Sequence, residues 1–244
     1  MSFVEQEDIF NVVETLLVNT FKKFSNKQLM YKQFPKISYA DAMLKYGSDK
    51  PDLRNPLIIS DITEIFKRDD VSFEIFKKLV KSGNDVRCIS TKNTKDKPRS
   101  FFDNIDKWAK EQGASGLAYF TFEKNGDLSA KGPIGKFFST EALLEIMKKT
   151  NSEVGDSIFM ACSKQRDLEK ISAQARDKIA KDLDLIDDSA FAFCWIVDYP
   201  MFEKNEITGK IEFSHNPFSM PQGNLSKKDL ENPLDILAYQ YDIV

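Results

Sequence analysis

The chain has 244 residues, 41% of them apolar and 12% aromatic, which is enough for one large domain or two ordinary ones with real hydrophobic cores. Its net charge of −3 argues against a generally basic surface and restricts any RNA contact to a local patch. Cys88, Cys162 and Cys194 are far apart and lack Cys-x-x-Cys spacing, so we expect reduced thiols rather than disulfides or a zinc site. The sequence contains no signal peptide and no apolar run of membrane-spanning length, and we therefore expect a cytoplasmic protein without membrane contact.

The first segment predicts helices followed by a connector. Apolar residues recur at helical spacing over residues 5–24, with acids early and lysines late, which predicts an amphipathic helix. Ser38 as N-cap and Gly47 as C-cap predict a short helix within residues 37–46. Residues 47–56 form a connector with prolines, whose charged side chains we expect to pair with one another: Asp49, Lys50, Asp52 and Arg54.

Strands and helices alternate through the middle of the chain. Strand-like runs begin at Leu57 and occupy residues 85–91, 116–123 and 157–163, and Asn125-Gly126 predicts a hairpin turn. Helices are predicted at residues 101–111, 139–149 and 168–183. Together these elements predict an α+β domain of roughly 130 residues.

The stretch from Phe191 to Ser219 predicts a hairpin of buried strands joined by a turn at residues 204–210. Asp198 ends its first apolar run and is interpreted as a turn cap. His215, the single histidine, ends the second strand just before Asn216-Pro217, where the backbone is biased to extended conformations. Helices are then predicted from Ser226 and, from the spacing of apolar residues, over residues 234–244.

Several blocks of this sequence resemble bacterial-type aspartyl-tRNA synthetases. Trp195-Ile-Val-Asp-Tyr-Pro-Met-Phe-Glu203 and Ser214-His-Asn-Pro-Phe-Ser219 are similar to the family's Trp-Val-x-Asp-Phe-Pro-Met-Phe-Glu and His-His-Pro-Phe-Thr. Residues 38–56, from Ser-Tyr-Ala-Asp to Leu-Arg-Asn-Pro, and the pair Gly113-Ala-Ser-Gly-Leu-Ala-Tyr119 and Gly132-Pro-Ile-Gly-Lys-Phe137 resemble further family blocks. The blocks occur in the family's order and span nearly the whole chain.

The resemblance implies an α+β fold in which a GAD-type insertion domain, residues 57–188, interrupts a class II antiparallel-sheet catalytic domain. Residues 1–56 would follow motif 2 and residues 189–244 would precede motif 3. The intact enzyme would join L-aspartate and ATP with Mg²⁺, and then charge tRNA(Asp), with tRNA(Asn) as a second candidate. The resemblance also implies a homodimer.

The resemblance assigns two site residues. His215 corresponds to the first family histidine, which contacts the aspartate substrate, whereas Asn216 departs from the usual second histidine. Asp242 matches an acid that holds Mg²⁺ on ATP. We assign no catalytic residue, because the arginines of motifs 2 and 3 lie outside this sequence, and we expect these residues alone to be inactive, with the edges of Trp195–Val197 unpaired or repacked.

A basic group occupies the loop before the helix predicted at residues 101–111. Such a loop is either solvated or contacts RNA phosphates without reading sequence. The group comprises Lys92, Lys95, Lys97 and Arg99. An alternative function, a free-standing RNA-binding or docking module related to the tRNA amidotransferase insertion, is disfavoured because both flanks resemble catalytic-domain segments.

Overall fold

The structure, a computed structural model, describes residues 3–205, 207–226 and 231–244. The chain divides into two compact units. Unit 1 comprises Met1–Ala42, Asp49–Arg54 and Asp187–Val244, and unit 2 comprises Met43–Ser48 and Asn55–Ile186. Within the described ranges, no helix is long and apolar enough to span a membrane.

Helices and mostly antiparallel strands are mixed along the chain. The helices are α1 (Gln6–Phe24), α2 (Tyr39–Tyr46), α3 (Glu74–Lys81), α4 (Arg99–Glu111), α5 (Thr140–Thr150) and α6 (Gln165–Asp182). The strands of unit 2 are β3 (Ile59–Asp61), β4 (Asp85–Thr91), β5 (Ala118–Asn125), β6 (Asp127–Lys131) and β7 (Ser157–Ser163). The strands of unit 1 are β1 (Gln28–Leu29), β2 (Lys36–Ser38), β8 (Ala190–Phe191), β9 (Trp195–Val197), β10 (Tyr199–Pro200), β11 (Phe202–Lys204), β12 (Ile211–Phe213), β13 (Leu237–Ala238) and β14 (Asp242–Ile243).

Unit 2 is built on a five-stranded antiparallel sheet in the order β3-β4-β7-β5-β6. Because side chains alternate along a strand, the central strand β7 serves two cores. Ile158 and Met160 lie in the core with α3 and α5, whereas Phe159 and Ala161 lie in the core with α4 and α6. The sheet is therefore covered by helices on both faces, which explains its near-continuous apolar runs.

Unit 1 contains several small sheets around α1. Strand β9 pairs in parallel with β2 and antiparallel with β14. Phe10 of α1 stacks on Trp195 with the ring centroids 4.2 Å apart, and the Trp195 indole N–H donates to Glu14 Oε1 at 2.8 Å. These contacts make a compact aromatic core with Phe34 and Val197.

Local signals predicted most helix ends correctly. Ser38 Oγ accepts the Asp41 N–H at 3.1 Å, and Gly47 follows α2 with a φ of +68°, a conformation that glycine adopts without steric cost. Ser139 caps α5, as predicted, by accepting the Ala142 N–H at 3.0 Å.

Two expectations for unit 1 were wrong, and one of the two alternatives for Trp195–Val197 is excluded. Residues 234–244 do not form one helix: a 3-10 turn at Pro233–Asp235 is followed by β13 and β14, because Asp242 and Ile243 pair with β9. For the same reason β9 has no unpaired edge. The hairpin β11–β12 forms with the predicted turn, but its residues are half-buried or exposed rather than buried. The helix predicted from Ser226 falls largely outside the described residues.

Candidate active site

His215 lies just after β12, exposed to solvent, with one ring nitrogen engaged. Its Nδ1 is 2.7 Å from Ser214 Oγ. The imidazole is held edge-on by two tyrosine rings, Tyr199 with centroids 4.9 Å apart and Tyr39 at 5.5 Å. Aromatic packing and the Ser214 contact therefore restrict the orientation of this exposed ring.

Asp242 lies on β14, opposite Ile196 of β9, and its side chain is 40% exposed. The Tyr199 hydroxyl donates to Asp242 Oδ2 at 3.1 Å, and Lys50 Nζ is 3.6 Å from the same oxygen. Both contacts are made through Oδ2. These contacts thus engage one of the two oxygens of this half-exposed carboxylate.

Tyr199 connects the two predicted site residues. Its side chain is fully buried, with the ring against His215 and the hydroxyl on Asp242. Burial, and then the neighbouring Asp242 carboxylate, raise the pKa of Tyr199, so the phenol stays protonated and donates. Tyr199 therefore contacts His215 through its ring and Asp242 through its hydroxyl.

Lys50 adds a positive charge to this site. Its ammonium is 2.9 Å from Asp49 Oδ2, and this hydrogen bond, with the help of Asp242, raises the pKa of Lys50 above its usual value. The connector charges do pair as predicted, since Arg54 also contacts Asp52 at 2.7 Å, but Lys50 and Arg54 reach beyond the connector to Asp242 and Asp188.

Sequence reasoning missed Tyr199, Lys50 and Tyr39 as members of this site. Tyr199 was visible only as part of a strand, and Lys50 only as a connector charge. Asp198, interpreted as a turn cap, has a φ of +56° and accepts from Gln222 Nε2 at 2.8 Å. This left-handed residue separates β9 from β10 immediately before Tyr199.

The structure does not keep the four predicted basic residues together. Lys92 Nζ pairs with Asp156 at 2.9 Å, whose side chain is only 2% exposed, and also donates to the Asn151 carbonyl. Lys95, Lys97 and Arg99 instead line a cavity of about 520 Å³ in unit 2. Lys92 is thus committed to a structural contact and does not line this cavity, although it lines a second pocket together with Lys97.

Unit 1 thus presents an imidazole and a half-exposed carboxylate that both contact a buried tyrosine, on elements of three small sheets. The sequence pattern of the family described as tRNA synthetases class II (D, K and N) matches residues 1–244. The chain belongs to this family of class II tRNA synthetases.

The more specific similarity is to aspartate–tRNA(Asp/Asn) ligases. The chain is 76% identical over all its residues to the ligase of Pelagibacter ubique strain HTCC1062, of which it covers 41%. It is 54% identical to that of Ehrlichia chaffeensis strain Arkansas and 48% identical to that of Beijerinckia indica subsp. indica, again over the whole chain. It covers 40% and 41% of these two relatives, so the chain spans about two fifths of their length.

Proposed function

We propose that this chain is part of an aspartate–tRNA ligase, which activates L-aspartate with ATP and transfers it to tRNA(Asp). The names of the relatives include both Asp and Asn, which supports tRNA(Asn) as a second acceptor. The observation that carries the proposal is that Tyr199 contacts both His215 and Asp242. All 244 residues of the chain align with an aspartate–tRNA(Asp/Asn) ligase. The intact enzyme is proposed to be a cytoplasmic homodimer.

His215 is proposed to contact the carboxylate of L-aspartate. The exposed imidazole has the right chemistry, since a histidine can donate to a carboxylate and be tuned by it. The edge-on rings of Tyr199 and Tyr39 limit its rotation, and Ser214 occupies Nδ1, which leaves Nε2 for the substrate.

Asp242 is proposed to hold Mg²⁺ on ATP through Oδ1. Hard cations prefer carboxylate oxygens, so the donor fits. The part of the chain that the structure describes has no group of three or more His, Cys, Asp or Glu side chains that could hold a metal, so Asp242 supplies one ligand of a shared set. When bound, Mg²⁺ would neutralise phosphate charge. Tyr199 and Lys50 keep the other Asp242 oxygen occupied.

The direct test is His215→Ala in the full-length enzyme. We expect kcat/KM for aspartate to fall by the equivalent of about 1–3 kcal/mol, because a hydrogen bond to a charged group is removed. Lys210→Ala, an exposed residue at the other end of β12, is the matched control and is expected to leave aspartate kinetics unchanged. Unaltered kinetics in His215→Ala would remove this residue from the site.

The 244 residues alone are proposed not to form aspartyl-adenylate. The resemblance assigns the arginines that neutralise the phosphates to motifs 2 and 3, outside this sequence, and the absence of each preorganised donor typically costs 10²-fold or more. Aspartate-dependent pyrophosphate exchange should be absent from the chain and present in the full-length enzyme. Exchange above background would contradict this proposal.

Residues 57–188 are proposed to be the GAD-type insertion domain. The five-stranded sheet with its own two cores supports this proposal. Limited proteolysis should cut first near residues 47–55 or 187–189, and early cleavage scattered through the middle would contradict it.

The basic loop is proposed to contact RNA in the intact enzyme. Lys95, Lys97 and Arg99 are exposed and suit phosphate contacts, whereas Lys92 is held by Asp156. The alternative of a free-standing RNA-binding or docking module gains nothing from the geometry of unit 1, which carries the His215 and Asp242 pair.

A further inference from the structure

A cavity of about 520 Å³ in unit 2 lies where three segments meet: the basic loop, the start of α4 and the residues that follow β6. This volume is within the range of small-ligand sites. Among the described residues, its lining contains four cations and no acid: Lys95, Lys97, Arg99 and Lys131. On a chain of net charge −3, this local group of positive charges favours the binding of an anion.

The cations of this cavity are not tied to strong partners. Arg99 contacts Asp103 at 3.2 Å and Lys131 contacts Glu123 at 3.5 Å, with both basic side chains largely exposed. Exposed pairs of this kind are typically worth only about 0–1 kcal/mol. Lys95 and Lys97 form no ion pair within the described part of the chain. All four can therefore turn to a ligand at little cost.

A chain of buried hydroxyls ends at the cavity wall. Thr94 Oγ1 donates to Ser157 Oγ at 2.7 Å, and Ser157 Oγ is 2.9 Å from Oγ1 of Thr121, which lines the cavity. Either hydroxyl can be the donor of the contact between Ser157 and Thr121, and Thr94 also reaches the Thr91 carbonyl at 3.3 Å. When Ser157 donates to Thr121, the Thr121 proton is available to an anion, a directional contact that surface lysines alone do not provide.

The backbone also keeps this wall in place. Gly132 has a φ of +142°, and a Cβ at this position would lie 2.9 Å from the Tyr119 carbonyl oxygen and from Phe120 Cα. Only glycine allows the segment after β6 to approach β5 so closely. The Tyr119 hydroxyl, bonded to Asp103 at 2.7 Å, holds the start of α4 against the same strand.

We propose that this cavity binds a phosphate group, supplied either by the backbone of RNA or by a free polyphosphate. The four cations supply the charge, and Thr121 supplies a hydroxyl at the cavity wall. For RNA, this deepens the contact proposed above by confining it to the cavity, and Lys92 lies outside it. For a free polyphosphate, the site is independent of that contact.

The experiment measures binding of an RNA duplex, and separately of inorganic pyrophosphate, to the 244-residue chain by titration at several salt concentrations. The variants are Lys95→Gln/Lys97→Gln and Thr121→Val, with Lys107→Gln as the matched control, an exposed lysine of α4 outside the cavity. Lys92→Gln tests the part of the basic loop that lies outside the cavity. Circular dichroism checks that each variant is folded.

The proposed phosphate site is supported if the double variant weakens RNA binding at least tenfold. The slope of log K against log salt should then fall in magnitude by about one for each phosphate that is no longer neutralised. Lys107→Gln and Lys92→Gln should bind RNA as the wild type does. The site is equally supported, with a free polyphosphate as the ligand, if pyrophosphate binds and the double variant and Thr121→Val abolish binding.

The proposal that this cavity binds phosphate is overturned in two cases. If Lys92→Gln weakens RNA binding as much as the double variant, the contact is spread along the loop, and the RNA contact survives without the cavity. If no variant changes binding of either probe, both proposals fail. The proposed aspartate chemistry is untouched in either case, because it is measured by aspartate kinetics.

Discussion

The two units bury their apolar residues in different ways. Unit 2 covers both faces of one five-stranded sheet with helices and places nearly all its large apolar side chains in two cores. Unit 1 divides its strands among sheets of two or three strands and holds most of the exposed large apolar side chains among the described residues, such as Phe24, Ile207 and Phe218. Unit 2 therefore resembles a self-contained domain, whereas unit 1 buries a smaller share of its large apolar side chains.

This contrast can be tested by removing one phenylalanine side chain from each unit. Phe159→Ala deletes a fully buried ring from the centre of β7, and we expect unit 2 to lose about 3–5 kcal/mol of unfolding free energy. Phe218→Ala removes a ring that is 93% exposed in unit 1, and is expected to change stability by about 0.5 kcal/mol or less.

The two tryptophans allow each unit to be followed separately in urea. Trp108 lies on α4 of unit 2 and Trp195 on β9 of unit 1, so Trp195→Phe and Trp108→Phe backgrounds each leave one reporter. Equal shifts of both transitions in Phe159→Ala would mean that the units unfold together, and the comparison would fail.

A smaller effect is expected from the aromatic core of unit 1. Glu14→Ala removes the acceptor of the buried Trp195 N–H and should cost unit 1 about 1–3 kcal/mol. Glu7→Ala, on the same helix, breaks only the exposed pair with Lys36 and should cost about 0–1 kcal/mol. Similar losses of stability in the two variants, followed by Trp195 fluorescence, would show that unit 1 lacks a specific core.

The smallest effect concerns a phenol in each unit. Tyr199→Phe should lower the stability of unit 1 by about 1 kcal/mol at pH 8, since it removes the bond to Asp242. Burial raises the pKa of Tyr199 above its unfolded value of about 10, so this stabilisation is complete below pH 10 and declines as the pH rises further. Denaturant unfolding at pH 8 and pH 11 should therefore show the wild type approaching the variant.

Tyr119 provides the counterpart in unit 2. Burial, with the bond to Asp103, also raises the pKa of Tyr119, so Tyr119→Phe should show the same sign of pH dependence in the unit 2 transition. A difference between wild type and Tyr199→Phe that grows with pH would contradict the assigned donor role of the Tyr199 hydroxyl.

The predictability of the two units from sequence follows the same division. In unit 2, local rules suffice: β4 spans Asp85–Thr91 as predicted, and Ser139 caps α5. In unit 1, the segment after Pro233 has helical spacing, yet it becomes strands because β9 offers an edge with which β14 pairs. Tertiary pairing overrides the local pattern there, and no window of sequence contains that information.

The candidate site shows the same limit. His215 and Asp242 were predicted one at a time, from separate motifs. Their connection depends on Tyr199, which is 43 residues before Asp242 and was visible only as a strand residue. The cavity in unit 2 was equally hidden, because a run of basic residues does not reveal that Lys92 turns to Asp156 while Lys95 and Lys97 line a cavity together with Lys131.

The ion pair between Arg54 and Asp188 has a consequence for how such a gene can change. The Asp187 N–H donates to the Arg54 carbonyl at 3.3 Å, and Arg54 Nη1 lies 3.3 Å from Asp188 Oδ1, so the unit 1 residues that flank residues 55–186 are neighbours. The short stretch Met43–Ser48 of unit 2 lies outside this junction. A deletion of codons 55–186 would need to rejoin ends that are already neighbours, and it would remove none of the described strands of unit 1. Recombination at this point would therefore exchange, shorten or remove residues 55–186, the larger part of unit 2, as a cassette while the reading frame around His215 and Asp242 continues unaltered.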